Sequence, residues 1–220
     1  MGYTHYWKTQ KVLHRENFEK VVQDFRKVLP VINRLGIKLA GWNGKGVPEI
    51  NNKRISFNGL EKCGHINRNL GITWPSKEAS GISLAHTREE PVRENTLLTV
   101  LCGEKENLSL NDSDVSGNWF AGANLNKRTC GGDCSHESFI LEKHFKPEEW
   151  QEPEQGKYFN FCKTAYKPYD LAVNICLIIA KHHLKDQIEV SSDGNLCHWR
   201  DAMFICHKLL KYGLDFKLDD

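Results

Sequence analysis

The stretch Phe161-Cys-Lys-Thr-Ala-Tyr-Lys-Pro-Tyr-Asp170 runs straight into Leu171-Ala-Val-Asn-Ile-Cys-Leu-Ile-Ile-Ala180, and the two together decide the fold. The second half is apolar almost all round, the pattern of a buried helix rather than a surface one. Pro168 has its φ already set for a first helical turn and lacks an N–H that would be orphaned there. Asp170 falls where the positive end of the helix dipole favours a carboxylate. Lys181, His182 and His183 complement the opposite end.

Working outward, residues 188–190 read as a short strand and Ser191-Ser-Asp-Gly194 as a turn rich in helix caps. A helix over about 195–212 puts Leu196, Trp199, Met203, Cys206 and Leu210 on one stripe. Gly213 is placed to end it, and 214–218 reads as an edge strand. Toward the N-terminus, Tyr3, His5 and Trp7 alternate with Thr4, Tyr6 and Lys8 in a strand pattern. A helix over about 16–35 follows, with Phe18, Val21, Val22, Phe25, Val28, Leu29 and Ile32 at three- and four-residue steps. Pro30 is expected to kink it or split off its last turn, and Gly36 to end it. Strands are expected over 37–42, 54–58 and 137–144, and an exposed acidic connector over 146–157. Periodicity dissolves between about 60 and 134, which reads as an insertion or subdomain. The expectation is one α+β domain over 1–220, a mixed sheet with about three main helices and a large loop-rich insertion.

Composition narrows the function classes. A hydrophobic content of 40% with six Trp supports a real core, and 220 residues suit one large domain. A formal net charge of +2 disfavours a dedicated nucleic-acid protein. No run of 18 apolar residues occurs and the N-terminus lacks a signal-peptide core, so a cytoplasmic protein without a membrane partner is expected. The eight cysteines are then expected as thiols or metal ligands rather than disulfides.

Lys163 and Lys167 stand out because cations beside a helix N-terminus oppose its dipole. With the Thr164 hydroxyl and free backbone N–H groups they describe a site for an anion, where the bland alternative is a Pro-initiated helix with two solvated lysines. Tyr169 and Asp170 crowd the same helix mouth. Asp193, in the turn before the following helix, and Tyr3 and His5, on the first strand, are candidate neighbours. Neither a phosphate-binding Walker loop nor a dinucleotide fingerprint occurs, and zinc-deaminase and serine-hydrolase motifs are missing too. Cys162 next to Lys163 could serve a Cys–His pair, although most such cysteines are inert core residues. Cys63-Gly-His65 and Cys130-x-x-x-Cys134-Ser-His136 offer thiolate and imidazole donors for a structural zinc, at spacings unlike a standard C-x-x-C pair.

The opening Met1-Gly-Tyr-Thr-His-Tyr-Trp7, Ile55-Ser-Phe-Asn-Gly59, Ser135-His-Glu-Ser-Phe139, the Phe161–Asp170 block and Glu189-Val-Ser-Ser-Asp-Gly194 resemble an uncharacterised family of phage, large-virus and fungal proteins. The likeness covers the two ends of the chain and skips most of 60–134. It implies that the named blocks form one common site, and a phage-type context implies an accessory or host-takeover role.

The leading expectation is therefore a sequestering protein that binds a small anionic, nucleotide-like ligand. Lys163 and Lys167 would hold the charge, Thr164 would donate a hydrogen bond, and Tyr3, His5 or Tyr169 would contact the rest. A second expectation is an enzyme acting on a phosphoester or nucleotide, with His5 or His136 as acid/base and Asp170 or Asp193 orienting it. A third is a protein–protein inhibitor that uses the 60–134 insertion.

Overall fold

The computed structural model describes residues 3–64, 118–120, 123–125, 128, 130 and 132–219. Strand β1 (Thr4–Gln10) leads into helix α1 (Arg15–Arg34), then β2 (Leu39–Ala40), β3 (Glu49–Ile50) and β4 (Arg54–Gly59). The short strands β5 (Asn118–Phe120) and β6 (Ala123–Leu125) pair with each other. After them come β7 (Phe139–Glu142), β8 (Lys157–Lys163), helix α2 (Asp170–Leu184), β9 (Ile188–Ser192) and helix α3 (Arg200–Leu210). This is an α+β fold with three α-helices among the described residues.

Strand β1 is the centre of a three-stranded sheet ordered β8-β1-β9, antiparallel to both neighbours. His5 lies opposite Cys162 on one side and Ser192 on the other. A second sheet is built on β4, which pairs antiparallel with β2, β3 and β7. The two sheets are joined where Leu13 N donates to Lys143 O and Phe145 N donates to Lys11 O, both at 2.9 Å. Every strand pairing among the described residues is antiparallel.

Helix α2 is buried along almost its whole length, as its all-round apolar sequence requires. It packs against α1, α3 and β9. The core is continuous across both sheets. Trp7 meets Phe139 at 4.9 Å between ring centroids, Phe139 meets Phe57 at 5.0 Å, and Phe57 stacks on Phe25 of α1 at 5.3 Å. Such ring pairs add about 0.5–1.5 kcal/mol each beyond their buried area. One carboxylate ties the helical layer together. Asp24 of α1 accepts from His183 Nε2 of α2 at 2.7 Å and from the Tyr212 hydroxyl, just past α3, at 2.8 Å.

Several expectations shift. Helix α1 runs on through Pro30 to Arg34 without a break, giving up only the one ladder bond that a proline N–H would have made. The expected helix over 195–212 divides into a 3-10 turn at Leu196–Trp199 and α3. Residues 214–218 form no strand; instead Asp219 reaches Val190 of β9 through its N–H and its carboxylate. The 146–157 connector closes on β8, where Glu154 and Lys157 bridge across Gln155 (φ 49°) and Gly156 (φ 79°), two left-handed residues as a tight hairpin turn demands. Most of the expected 60–134 insertion lies outside the described residues.

Candidate functional site

The Lys-Thr-Ala-Tyr-Lys-Pro-Tyr-Asp block folds as a tight connection between β8 and α2. Asp170 N donates to Lys167 O at 2.9 Å, so the helix begins with a narrow first turn behind Pro168. Before it, Ala165 (φ 49°) and Tyr166 (φ 54°) both adopt left-handed backbone, an unfavourable conformation for residues with a Cβ. This bend stacks the Tyr166 ring on Tyr3 at 3.8 Å between centroids. It also turns Asp170 inward, beneath β1.

Asp170 is the hub of a buried polar network. A carboxylate only accepts, so the His5 Nε2–H donates to its Oδ1 at 2.7 Å. The Thr164 hydroxyl donates to the same oxygen, and Arg128 Nε donates to Oδ2 at 2.9 Å. The other edge of the Arg128 guanidinium meets Asp201, in the first turn of α3. One cation thus bridges acids at the N-termini of two helices. His5, Arg128, Thr164, Asp170 and Asp201 are all at most 1% exposed. Burial alone would raise the Asp170 carboxyl, but Arg128 first, then His5 and Thr164, outweigh it and hold the group well below the usual carboxylate range.

The network reaches the surface through Ser192. Its Oγ lies 3.2 Å from His5 Nδ1, the nitrogen left to accept when Nε2 carries the proton. The chain Asp170–His5–Ser192 therefore has the polarity of an acid-oriented base beside a hydroxyl. Ser192 Oγ also accepts from Gly194 N at 3.2 Å and lies 3.4 Å from the Tyr3 hydroxyl. Burial, then the nearby Asp170 charge, pushes the Tyr3 phenol above its ordinary range. At Gly194 a Cβ would collide with the Tyr3 ring, so this turn closes over Tyr3 only with glycine.

Alternation along the same strands sends a different set of residues to the outer face of the sheet. Thr4, Tyr6 and Lys8 of β1 lie opposite Lys163, Phe161 and Phe159 of β8. Phe159 and Phe161 are 46% and 54% exposed. They lie 6.0 Å apart between ring centroids, and Phe159 stacks on Tyr6 at 5.9 Å. Asp193 is exposed at the edge of this face. It accepts from Thr4 N at 2.9 Å and from the Tyr6 hydroxyl at 2.8 Å, which fixes the Tyr6 ring. The Lys163 ammonium makes no hydrogen bond or ion pair among the described residues, while its backbone N–H donates to the Glu137 carboxylate at 2.7 Å.

The expected ligand-binding set is thus divided between two faces. Tyr3, His5, Thr164, Tyr169 and Asp170 are buried on the inner side, whereas Lys163 and Asp193 are on the outer side. Tyr169 is fully covered and its hydroxyl donates to Glu137 O at 2.6 Å. Lys167 is committed elsewhere, its ammonium donating to Cys130 O at 2.9 Å and Asp133 O at 2.6 Å. Cys162 is fully buried, and burial pushes its thiol up, as expected of an inert core cysteine.

A second cluster lies behind Lys167. The sulfurs of Cys63, Cys130 and Cys134 are all within 4.8 Å of one another and buried, a donor set that could hold a metal ion. Cys130 Sγ is 3.3 Å from Cys63 Sγ and 3.2 Å from Cys134 Sγ. His136 is turned away, its Nδ1 2.6 Å from Lys163 O, and His65 lies outside the described residues.

Arg128, Asp201 and the Tyr6–Phe159–Phe161 face were not singled out from sequence. Arg128 sits in the stretch without periodicity. The outer face did leave a signal, the two-residue period of Lys157, Phe159, Phe161 and Lys163. No helix among the described residues is long and apolar enough to cross a membrane. No family model matches the chain, and no curated protein or solved structure matches it significantly.

Proposed function

We propose that this protein binds a small anionic, nucleotide-like ligand on the outer face of the β8-β1-β9 sheet, acting in the cytoplasm as a sequestering accessory protein. The observation that carries the reading is the pair Phe159 and Phe161, 46% and 54% exposed, on the same strand face as Lys163, whose ammonium has no partner among the described residues. Exposed rings favour a planar base, worth about 1–3 kcal/mol per stacked base by alanine substitution. An ammonium two residues along the strand suits a phosphate or carboxylate on the same ligand. Tyr6, fixed by Asp193, supplies a third ring. Sequestration needs no catalytic group on this face.

The test is calorimetry and thermal shift with a panel of nucleoside mono-, di- and triphosphates, with chromatography of each mixture for turnover. Binding without turnover is expected, with Phe161→Ala and Lys163→Ala each weakening affinity about tenfold, or about 1.4 kcal/mol. No binding by any member, or affinity unchanged in both variants, overturns the reading.

The relay Asp170–His5–Ser192 favours a second reading, an enzyme that acts on a phosphoester or nucleotide. His5 would take the Ser192 proton as the hydroxyl attacks phosphorus, then give it to the leaving oxygen as its bond to phosphorus breaks, and Asp170 would hold the imidazole in the required tautomer. Turnover abolished by Ser192→Ala and by His5→Gln is its signature; turnover that survives Ser192→Ala removes it.

The cluster of Cys63, Cys130 and Cys134 is read as a structural zinc site, because thiolate sulfur is the donor this ion prefers in closed sites.

A further inference from the structure

We infer that zinc bound by Cys63, Cys130 and Cys134 is the tether that seats Arg128 between Asp170 and Asp201, so that metal occupancy assembles the buried network of the candidate site. The inference rests on the zinc reading above and extends it from a donor set to a consequence for the fold.

Geometry supports the metal. The sulfur separations of 3.2 and 3.3 Å are far beyond a disulfide bond of about 2.05 Å. They approach the edge of about 3.8 Å in a tetrahedron with zinc–sulfur bonds of about 2.3 Å. The three cysteines come from two strands of chain distant in sequence, Cys63 just past β4 and Cys130 with Cys134 ahead of β7. Those segments touch closely: Cys134 N donates to Leu60 O, and a Cβ at Gly59 would collide with Cys134 O.

Charge supports it as well. Three thiolates around a divalent ion leave one net negative charge. Two ammonium groups are anchored beside the cluster, Lys167 on Cys130 O and Asp133 O, and Lys38 on Cys63 O at 3.0 Å. Each is held by carbonyls of the ligand-bearing segments and so is placed to offset that charge.

The coupling follows from chain connectivity. Arg128 precedes Cys130 by two residues, and Lys167 lies in the connection between Thr164 and Asp170. The metal-bearing loop is therefore tied to the Asp170 network twice, through the backbone to Arg128 and through the Lys167 ammonium. Without the tether, Asp170 and Asp201 would lose the cation that offsets their burial.

The test uses the full chain purified under reducing conditions. Elemental analysis should give one zinc per chain, and Cd²⁺ exchange should give sulfur-to-cadmium charge-transfer absorbance that Cys134→Ser diminishes. In ¹⁵N-resolved NMR the His5 Nε2–H should be protected in the zinc form, lost on chelation and restored by Zn²⁺. A chain without stoichiometric metal, or one with a Cys63–Cys130 disulfide by mass spectrometry, overturns the zinc reading and the inference with it. Stoichiometric thiol-bound metal whose removal leaves the His5 signal unchanged overturns the tether alone. Should the metal-free chain unfold altogether, the rise in Tm on adding zinc is compared between the parent and Arg128→Lys. A smaller rise in the variant supports the tether, and an equal rise overturns it.

Discussion

The two faces of the β8-β1-β9 sheet are made by alternate residues of the same strands, yet their chemistry is opposite. Inward, His5, Thr164, Asp170, Arg128 and Asp201 are buried in a closed set of hydrogen bonds and ion pairs. Outward, two phenylalanine rings face solvent and one ammonium has no partner among the described residues. The denser collection of titratable groups is therefore the one with less spare bonding capacity. Groups whose donors and acceptors already meet stabilise the fold by staying in place. A ligand needs surface and charge still available to it, which the outer face offers.

The sharpest way to break this contrast is Arg128→Ala, which leaves two buried carboxylates without their cation. A loss of about 3–5 kcal/mol is expected in urea unfolding. A loss under about 1 kcal/mol would mean that the inner network is not a structural unit. Thr164→Val removes one donor to Asp170 while keeping the side-chain shape, and about 1–3 kcal/mol is expected by the same measurement.

Acid should act on the inner face in the same direction. The Asp170 carboxyl is held below its unfolded value of about 3.9, because Arg128, His5 and Thr164 outweigh the opposing effect of burial. A group lowered in this way contributes stability that is complete above about pH 5 and is lost as pH falls through the folded value. Urea midpoints measured between pH 2 and pH 5 (roughly the span this linkage covers) should fall with acid, with a shallower fall in Asp170→Asn. Equal slopes would show that Asp170 does not carry the linkage. The smallest expected effect belongs to the outer face, where Phe161→Ser and Lys163→Gln should each change stability by within about 0.5 kcal/mol. A larger loss would make that face part of the folding core.

The legible parts of the chain were those with a clear period. The all-round apolar run 171–180 is the buried α2, and the stripe from Phe18 to Ile32 is the buried side of α1. Acidic Asp170 was placed at its helix start from dipole reasoning, but its partners were not legible, because Arg128 and Asp201 are 42 residues before it and 31 after it. Sequence neighbourhood grouped Lys163, Thr164 and Lys167 as one anion site. Strand alternation sends Lys163 outward and Thr164 inward, and the Lys167 ammonium meets two carbonyls instead. The thiol trio was legible only in part: three of the five expected donors converge, His136 turns to Lys163 O, and His65 lies outside the described residues.

Asp24 fixes more than a local contact. By accepting from His183 and Tyr212 it couples all three helices, so no one of them can swing away without breaking a partly buried polar cluster. The helices behind His5 then part only as a group. Amide exchange along α2 should therefore follow global unfolding, and the helical layer parts on the timescale of unfolding itself.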